Sequence, residues 1–528
     1  MRGYLILKKL FLLVALAGLA LGLFIGIRSS VLENKEEEAE EVIVDTSYQD
    51  ELNLPLIEVD TLNPILTKNK QVADTLKLVY EPLFDFDSLN RLTPSLAIEW
   101  MERDDTTWII RLRENVSWHS GKSFSADDVI FTINSIKGNS ASVYYENVKN
   151  IAEISKLEDN SISLLLNEKD SLLPYKLTFP IVPEYYFRDG LSDKEKTSRP
   201  VGTGPYQYFA TSEDGARMTL KYNASWWNHT SSKLNTIYLY QYQTYGEAIK
   251  AFKSSEIDVI TTSMISWEKK FGIIGINSYR YENEKFDVLI PNCNRLALSD
   301  SSVRRAILYA INRDNIIDEV YLENASKQDM MLHSYSWAFH KDLEVEYSQE
   351  KAKQLLTNSL WQQRSGVWSK TINGSNVSLR LNLMVCKDSE EKVEAALKIK
   401  ENLENIGMKI TIVQVDSNTF QKNMASHNFD LALGTLTSKN EFDLMELLQE
   451  NNFANFNSAA MAEEFAQLYL SNLNLENAFY DFQAKYETEM PYIGLYFRTN
   501  VLLTNKAVKG NMTPTAWNPY YQIWQWSK

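Results

Sequence analysis

From Leu52 onward the apolar positions change period several times. In DTTWIIRLRENVSW (105–118), Trp108, Ile110 and Leu112 fall on one face of a pleat, and Arg111 and Arg113 fall on the other. That alternation predicts a half-buried strand. SISLLLN (161–167), RMTLKYN (217–223), TIYLYQY (236–242) and VSLRLNLMVC (377–386) predict four more. Helical spacing intervenes at SVRRAILYAIN (302–312), through Val303, Ile307, Ala310 and Ile311. EAIKAFKSSEIDVI (247–260) predicts a helix and then a short buried strand. KVEAALKIKENLENIGMKITIVQVD (392–416) predicts a helix, a stop at Gly407 and a strand. Strands and helices mix without strict alternation, which predicts an α/β protein with mixed sheets. No internal repeat of 20–50 residues is visible.

The first residues follow a different rule. MRGYLILKK carries Arg2, Lys8 and Lys9, and Leu10–Ile27 is an 18-residue run with no charge. Such a run reaches the lower limit for crossing a bilayer and is long for a signal-peptide core. Ala15-Leu16-Ala17 offers a cleavage pattern, but in mid-run, and no Leu-x-Gly-Cys lipid-anchor pattern follows. Residues 1–28 are therefore expected to be an N-terminal membrane anchor or a cleaved signal. An anchor puts the body on the outer face of the cytoplasmic membrane; a cleaved signal makes it secreted or periplasmic. Residues 29–50, with ENKEEEAEEV, predict an acidic, solvated tether.

Composition removes several function classes. The length of 528 residues fits about three domains or lobes. The net charge is −15 and the body has no basic stripe, so a nucleic-acid partner is not expected. Two cysteines, Cys293 and Cys386, exclude a disulfide framework and a Cys-rich zinc site. One bridge and two thiols both stay open. The five histidines (His119, His229, His333, His340 and His427) make no H-E-x-x-H pattern, and His333 and His340 stand seven apart in an aromatic loop. No G-x-S-x-G elbow or phosphate loop occurs. VGTGPY (201–206) has Pro205 where a dinucleotide loop opens a helix. Asp104/Asp105 and Asp127/Asp128 are adjacent in sequence, so their side chains diverge rather than forming an acid–base pair. No catalytic residue, metal or cofactor is expected.

WHSGKSFSADDV (118–129) looks like chemistry but reads as the start of a helix. Ser125 suits the N-cap and Asp128 the third helical position, a capping-box spacing, with Phe124 and Val129 placed for a staple. Asp127 and Asp128 favour the positive end of the helix dipole. Gly121 belongs to the turn before it.

In this order, several segments resemble one family. They are DTLNPI (60–65); residues 78–136 with Pro94, Leu96, Trp100, Gly121, Ser125 and Asp128; VGTGPYQY (201–208) with Gly202, Gly204 and Pro205; and NASWW (223–227). LSDSSVRRAILYAINRDNII (298–317) with Arg304 and Arg313, then EKAKQLL, ENLENIGMKITI, FDLAL and MPYIGLYFRTNVLL (490–503), complete the likeness over about residues 52–526. Together they resemble the extracellular solute-binding proteins of ABC transporters, family 5, of oligopeptide, dipeptide and nickel type.

That resemblance implies a two-lobed clamshell of the periplasmic-binding-protein type. Lobe I would hold residues 51–84, 190–282 and 490–528, with 85–189 inserted as a subdomain. Lobe II would hold 283–489. An oligopeptide or similar extended solute would be captured by hinge closure and passed to ABC permease subunits, by a monomer with no enzymatic activity. Ligand contacts would come from Tyr144 and Tyr145 in the subdomain. Thr261, Thr262, Ser263 and Met264 would add a strand-end loop, and Asn292 and Asn294 would lie near the hinge. The family's amine-anchoring stretch, with a tryptophan, an aspartate and a proline, aligns with GTLTSKNEFDLM (434–445). Here Leu436 replaces the tryptophan, Lys439 falls on or near the aspartate, and the proline is absent. Glu441 or Asp443 would substitute if the loop is shifted; otherwise the ligand would not present a free α-amine in the usual place. This departure also keeps open a membrane-anchored sensory or regulatory ectodomain of the same fold.

Overall fold

The computed structural model describes residues 50–528, apart from residues 171, 439–443, 449–450, 459–460, 462–464 and 466–474. The apolar run, most of the acidic stretch, Lys439, Glu441 and Asp443 lie outside the described residues. Among the described residues no helix is long and apolar enough to cross a membrane.

The longest ladder joins strand Ile276–Pro291 to strand Ile493–Asn505, antiparallel from Ile276 opposite Asn505 to Leu289 opposite Ile493. Its register slips between Glu282 and Phe286 and again between Asp287 and Val288. Both strands belong to a seven-stranded sheet. Val259–Thr262 flanks Ile493–Asn505; Leu431–Thr437, Arg380–Cys386 and Lys409–Val415 follow beyond Ile276–Pro291. The pairs around Arg380–Cys386 are parallel and those of the long ladder antiparallel, so the sheet is mixed, as predicted.

Side-chain alternation distributes this sheet among four buried clusters. Toward one end, Leu383, Val385, Leu431, Leu433 and Ile493 enter one cluster. Met384, Ala432, Val288 and Ile290 enter another on the opposite face. Toward the other end, Val501 and Leu503 join a third cluster and Leu502 a fourth. The fourth also takes the apolar faces of two further sheets. One is mixed, with Glu51–Ile57 parallel to Thr236–Tyr242, then Arg217–Tyr222 and Tyr206–Thr211. The other is antiparallel: Ala97–Asp104, Thr107–Leu112, Ser161–Leu166 and Ile151–Lys156. Residues 85–189 thus share a core with the strands around them; Ile110, Leu112, Ile162 and Leu164 pack with Leu52, Leu54, Leu220 and Leu239.

Two predicted strands come out shorter. The one expected over 105–118 ends at Leu112, and Asn115 then turns the chain with φ of 58°. The one expected over 377–386 splits at Leu379, whose N–H bonds to Trp368 and whose carbonyl accepts from Lys409. Ser375–Ser378 joins a separate three-stranded sheet.

The family-pattern residues carry the packing. Gly204 N–H donates to Val79 carbonyl at 2.9 Å, and a Cβ on Gly202 would stand 1.8 Å from that same oxygen. Only glycine tolerates this approach. His119 locks the turn from outside: its N–H donates to the Gly202 carbonyl, Gly202 N–H donates to Nδ1, and Nε2 meets the Gly204 carbonyl at 2.9 Å. Helix Ala126–Lys137 starts after Ser125, whose N–H donates to Asp128 at 2.9 Å. Asp128 does more than cap, accepting also from Trp118 Nε1 at 3.2 Å and from Glu184 N–H at 2.8 Å. Gly121 turns with φ of 84°, and Leu96 is fully buried. Trp100 stands half out of the core, edge-on to Phe84. The Pro205 carbonyl accepts Asn223 N–H. Arg304 donates to the carbonyls of Met490, Leu298 and Glu489, and Arg313 to Asp329 and the Val345 carbonyl. Cys293 and Cys386 are free thiols. Strand Leu431–Thr437 runs between the strands that lead to them, which keeps the two apart.

Candidate functional site

The site begins with a short helix, Lys70–Leu76, capped by Asn69, whose side chain accepts from Gln71 and Val72 N–H. Lys70, Asp74 and the C-cap Lys77 recur at intervals of four and three, so they share one face. At 1.5 Å per residue that face runs about 10 Å from Lys70 to Lys77. It borders a cavity of about 280 Å³. Phe86, Tyr144 and Trp517 supply aromatic wall, and Glu284 and Ser438 close the other side. Those two are held together across the large sheet, where Ser438 N–H donates to the Glu284 carbonyl at 2.9 Å.

The wall carries both signs of charge. Lys70 Nζ lies 3.0 Å from both Asp74 oxygens and 3.1 Å from the Ala516 carbonyl. Enclosure works against its charge, but the Asp74 and Glu284 carboxylates outweigh that and raise its pKa. Asp74 is pushed up by burial, which Lys70 and Lys77 offset only in part. Burial lowers the Lys77 pKa, against the pull of Asp85 and Asp74; its Nζ also donates to the Trp517 carbonyl. Glu284 Oε2 is enclosed and has no hydrogen-bond partner among the described residues.

A second cavity, of about 200 Å³, shares Lys77, Asp85, Phe86, Thr178 and Pro180 with the first and extends the groove past Trp226 and Trp227. Behind them Glu81 is buried and accepts from Trp226 Nε1, Trp227 Nε1 and Thr203 Oγ1 at 2.7–3.1 Å. Burial raises its carboxyl to about 7 despite those donors. Arg113 stacks on the Trp227 ring at 3.8 Å. A third cavity, of about 390 Å³, is bordered by Ser263, Met264, Asn283 and Lys285 and by Tyr321, Asn324 and Arg498.

The sequence-based candidates scatter over these cavities. Tyr144 lines the first, and Ser263 and Met264 line the third. Tyr145 opens the helix Tyr145–Val148 and borders none of the three. The Thr261 carbonyl accepts from Tyr245, and Thr262 is buried at the strand end. Asn292 is placed as a tie rather than in these walls: its amide donates to the carbonyls of His427 and Phe429. Asn294 is exposed, its N–H donating to Asn292. Leu436 points into the buried cluster, opposite Phe286, because its strand alternation puts it on the core face. Pattern reasoning missed Lys70, Asp74, Lys77, Glu284 and Trp517. The i, i+4, i+7 charges at 70, 74 and 77 were a local signal for three of them; Glu284 and Trp517 come from distant segments and had none.

The histidines have ordinary partners. His333 stacks on Phe497 at 4.3 Å with Nε2 near the Asn283 carbonyl, while His340 Nε2 lies 3.0 Å from the Glu476 carbonyl.

Comparison with known proteins agrees with the fold. The peptide transport periplasmic protein SapA of Salmonella typhimurium is 24% identical over 421 residues, covering 73% of either chain. The oligopeptide-binding protein AppA of Bacillus subtilis is 22% identical over 483 residues, covering 85% of this chain and 86% of its own. A solved nickel ABC transporter structure from Bacillus halodurans superposes with a TM-score of 0.74 at 19% identity, covering 90% of this chain and all of the other. Residues 91–452, well over half the chain, match the middle region of one family. The chain therefore belongs to the bacterial extracellular solute-binding proteins, family 5.

Proposed function

We propose that this chain is the extracytoplasmic solute-binding component of an ABC importer and that it takes a peptide-like solute into the groove beside helix Lys70–Leu76. The single observation that carries this is the make-up of the groove. Lysines and acids alternate along one wall, aromatic rings flank them, and Glu284 and Ser438 face them from the crossing strand and beyond. A zwitterionic, extended solute complements such a wall. SapA and AppA are named for peptides, and the Bacillus halodurans protein for nickel.

The groove lies between two lobes with the boundaries expected above, and the hinge is the register slip at Glu282–Phe286 opposite Phe497–Thr499. Solute shifts the open–closed balance only by its stronger binding to the closed form. Residues 1–28 hold the body at the outer membrane face, and the closed body docks on permease subunits.

Thermal stability across a panel of peptides and nickel chelates tests the reading. A ligand at 100 times its Kd stabilises by about 2.7 kcal/mol. Stabilisation by peptides is expected. Stabilisation by a nickel chelate alone would replace the peptide by a metal complex, and no response to either would remove the transport role and favour the sensory ectodomain.

A further inference from the structure

We infer that the turn at Ile273–Ile274 is a membrane-contact surface: it seats the body on an anionic phospholipid face through two exposed isoleucines and the lysines beside them. Its residues border none of the three cavities.

Helix Trp267–Phe271 ends at Gly272, whose N–H donates to the Glu268 carbonyl at 2.9 Å. Strand Ile276–Pro291 starts just after Gly275, whose carbonyl accepts Lys506 N–H at 3.0 Å. Both glycines have positive φ, 84° and 81°, so the turn is tied at each end in a conformation that suits glycine. Trp267 and Phe271 are buried before it, and Ile276 packs on the same cluster after it. Ile273 and Ile274 go outward instead. They are 65% and 95% exposed, and Ile274 is the most exposed large apolar side chain among the described residues. One exposed apolar residue is ordinary. Two in succession at the tip of a tied turn are not explained by packing. Trp100 and Met101 are also adjacent and exposed, but they lie on strand Ala97–Asp104, where successive side chains diverge.

The free charges beside the turn are positive, in a chain whose net charge is −15. Lys253, Lys269, Lys270, Lys506 and Lys509 are exposed, and none is in an ion pair among the described residues. Contacts link them to the turn. Lys253 Nζ lies 3.4 Å from the Lys270 carbonyl, Lys509 Nζ lies 2.6 Å from the Lys506 carbonyl, and Lys506 N–H holds Gly275. Glu268, the acid on the same helix, faces Arg280 at 3.3 Å. An apolar tip beside unpaired ammonium groups fits an anionic bilayer: the isoleucines enter the acyl boundary and the lysines meet lipid phosphates. The same lysines disfavour a second copy as the occupant, because a symmetric contact would set like charges against each other.

The start of the body lies at the same end. Asn53 N–H donates to Asp258 Oδ2 at 2.8 Å, Asn505 N–H donates to the Asp258 carbonyl at 2.9 Å, and Lys506 follows. The chain that carries the 18-residue apolar run therefore joins the body beside this turn. Residues 28–49 lie between, a length that could span about 75 Å at ~3.4 Å per extended residue. Attachment through that run alone would leave the body unoriented, and a second contact at Ile273–Ile274 would orient it.

Residues 50–528 carry the test, because their buried clusters draw on nothing before Leu52 and the apolar run is left out. Co-sedimentation is measured, without solute, on sucrose-loaded vesicles of phosphatidylcholine alone and of phosphatidylcholine with about one-third phosphatidylglycerol. The anionic vesicles should bind at least tenfold more tightly, and added salt should weaken that binding steeply. Ile273→Ser/Ile274→Ser and Lys269→Gln/Lys270→Gln should each lose about tenfold at an unchanged melting temperature. Phe209→Ser, at a side chain 65% exposed elsewhere, should change nothing. No sedimentation with anionic vesicles, or full affinity in the isoleucine variant, would overturn the membrane contact. A dimer in sedimentation velocity that the isoleucine variant dissolves would overturn it in favour of a second copy. With solute absent throughout, none of these results bears on the peptide reading.

Discussion

Arg498 Nε donates to Asp287 Oδ2 at 2.9 Å, joining the two long strands at the place where their ladder slips. Asp287 has no exposed surface and also accepts from Thr435 and Tyr321. Removing one member of such a pair strands a buried charge. Asp287→Ala should cost about 3–5 kcal/mol in urea unfolding. A loss below about 1 kcal/mol, the scale of an exposed pair, would mean that Arg498 escapes to solvent.

Gly202 and Gly246 make a matched contrast. A Cβ at Gly202 meets the Val79 carbonyl at 1.8 Å, whereas at Gly246 the nearest atom, Thr244 Oγ1, is 3.9 Å away. Gly202→Ala should therefore abolish soluble expression or lower the melting temperature steeply. Gly246→Ala, in helix Tyr245–Lys253, should be neutral or add about 0.5–1 kcal/mol. Equal effects of the two changes would contradict the packing described for the turn at Gly202.

Asp128 and Ser125 separate capping from bracing. Ser125→Ala should cost about 1 kcal/mol, as other N-cap losses do. Asp128→Ala also leaves Trp118 Nε1 and Glu184 N–H without their acceptor and should cost about 3 kcal/mol. Chemical denaturation of the two variants in parallel checks the ranking.

Two groups whose charged forms are disfavoured by enclosure give opposite pH slopes. Glu81 titrates near 7 when folded and near 4.5 when unfolded, so the folded state holds the extra proton between those values. Its contribution to stability falls as pH rises through that window and is flat above it. Burial lowers His119 to about 4, against 6.5 unfolded, so there the unfolded state takes the extra proton. The His119 contribution falls as pH drops from 6.5 toward 4. Glu81→Gln removes only the first slope. Relative to wild type it should gain stability between pH 5 and 8, by up to about 3 kcal/mol at 1.36 kcal/mol per pH unit. A pH-independent difference would contradict the burial of an ionisable Glu81.

Much of the fold was legible locally. Alternation at 217–222 and 236–242, and the helix, stop and strand of 390–415, needed only the side-chain period and one glycine. The capped helix at Ser125 was legible for the same reason. The split at Leu379 was not, because which sheet a strand joins depends on partners such as Trp368 and Lys409. The groove was the least legible part. Tyr144, Ser263 and Met264 were reached by resemblance, but Glu284, Lys70 and Trp517 meet only through the topology of distant segments. Leu436 and Asn292 carried no mark in the sequence that they face a core and a pair of carbonyls.

Capture of a peptide between two closing lobes would show in small-angle X-ray scattering of the full chain during titration with trialanine. Closure around the peptide predicts a saturable fall in the radius of gyration, with the same midpoint as the peptide's binding isotherm. An unchanged radius at saturating peptide would contradict it.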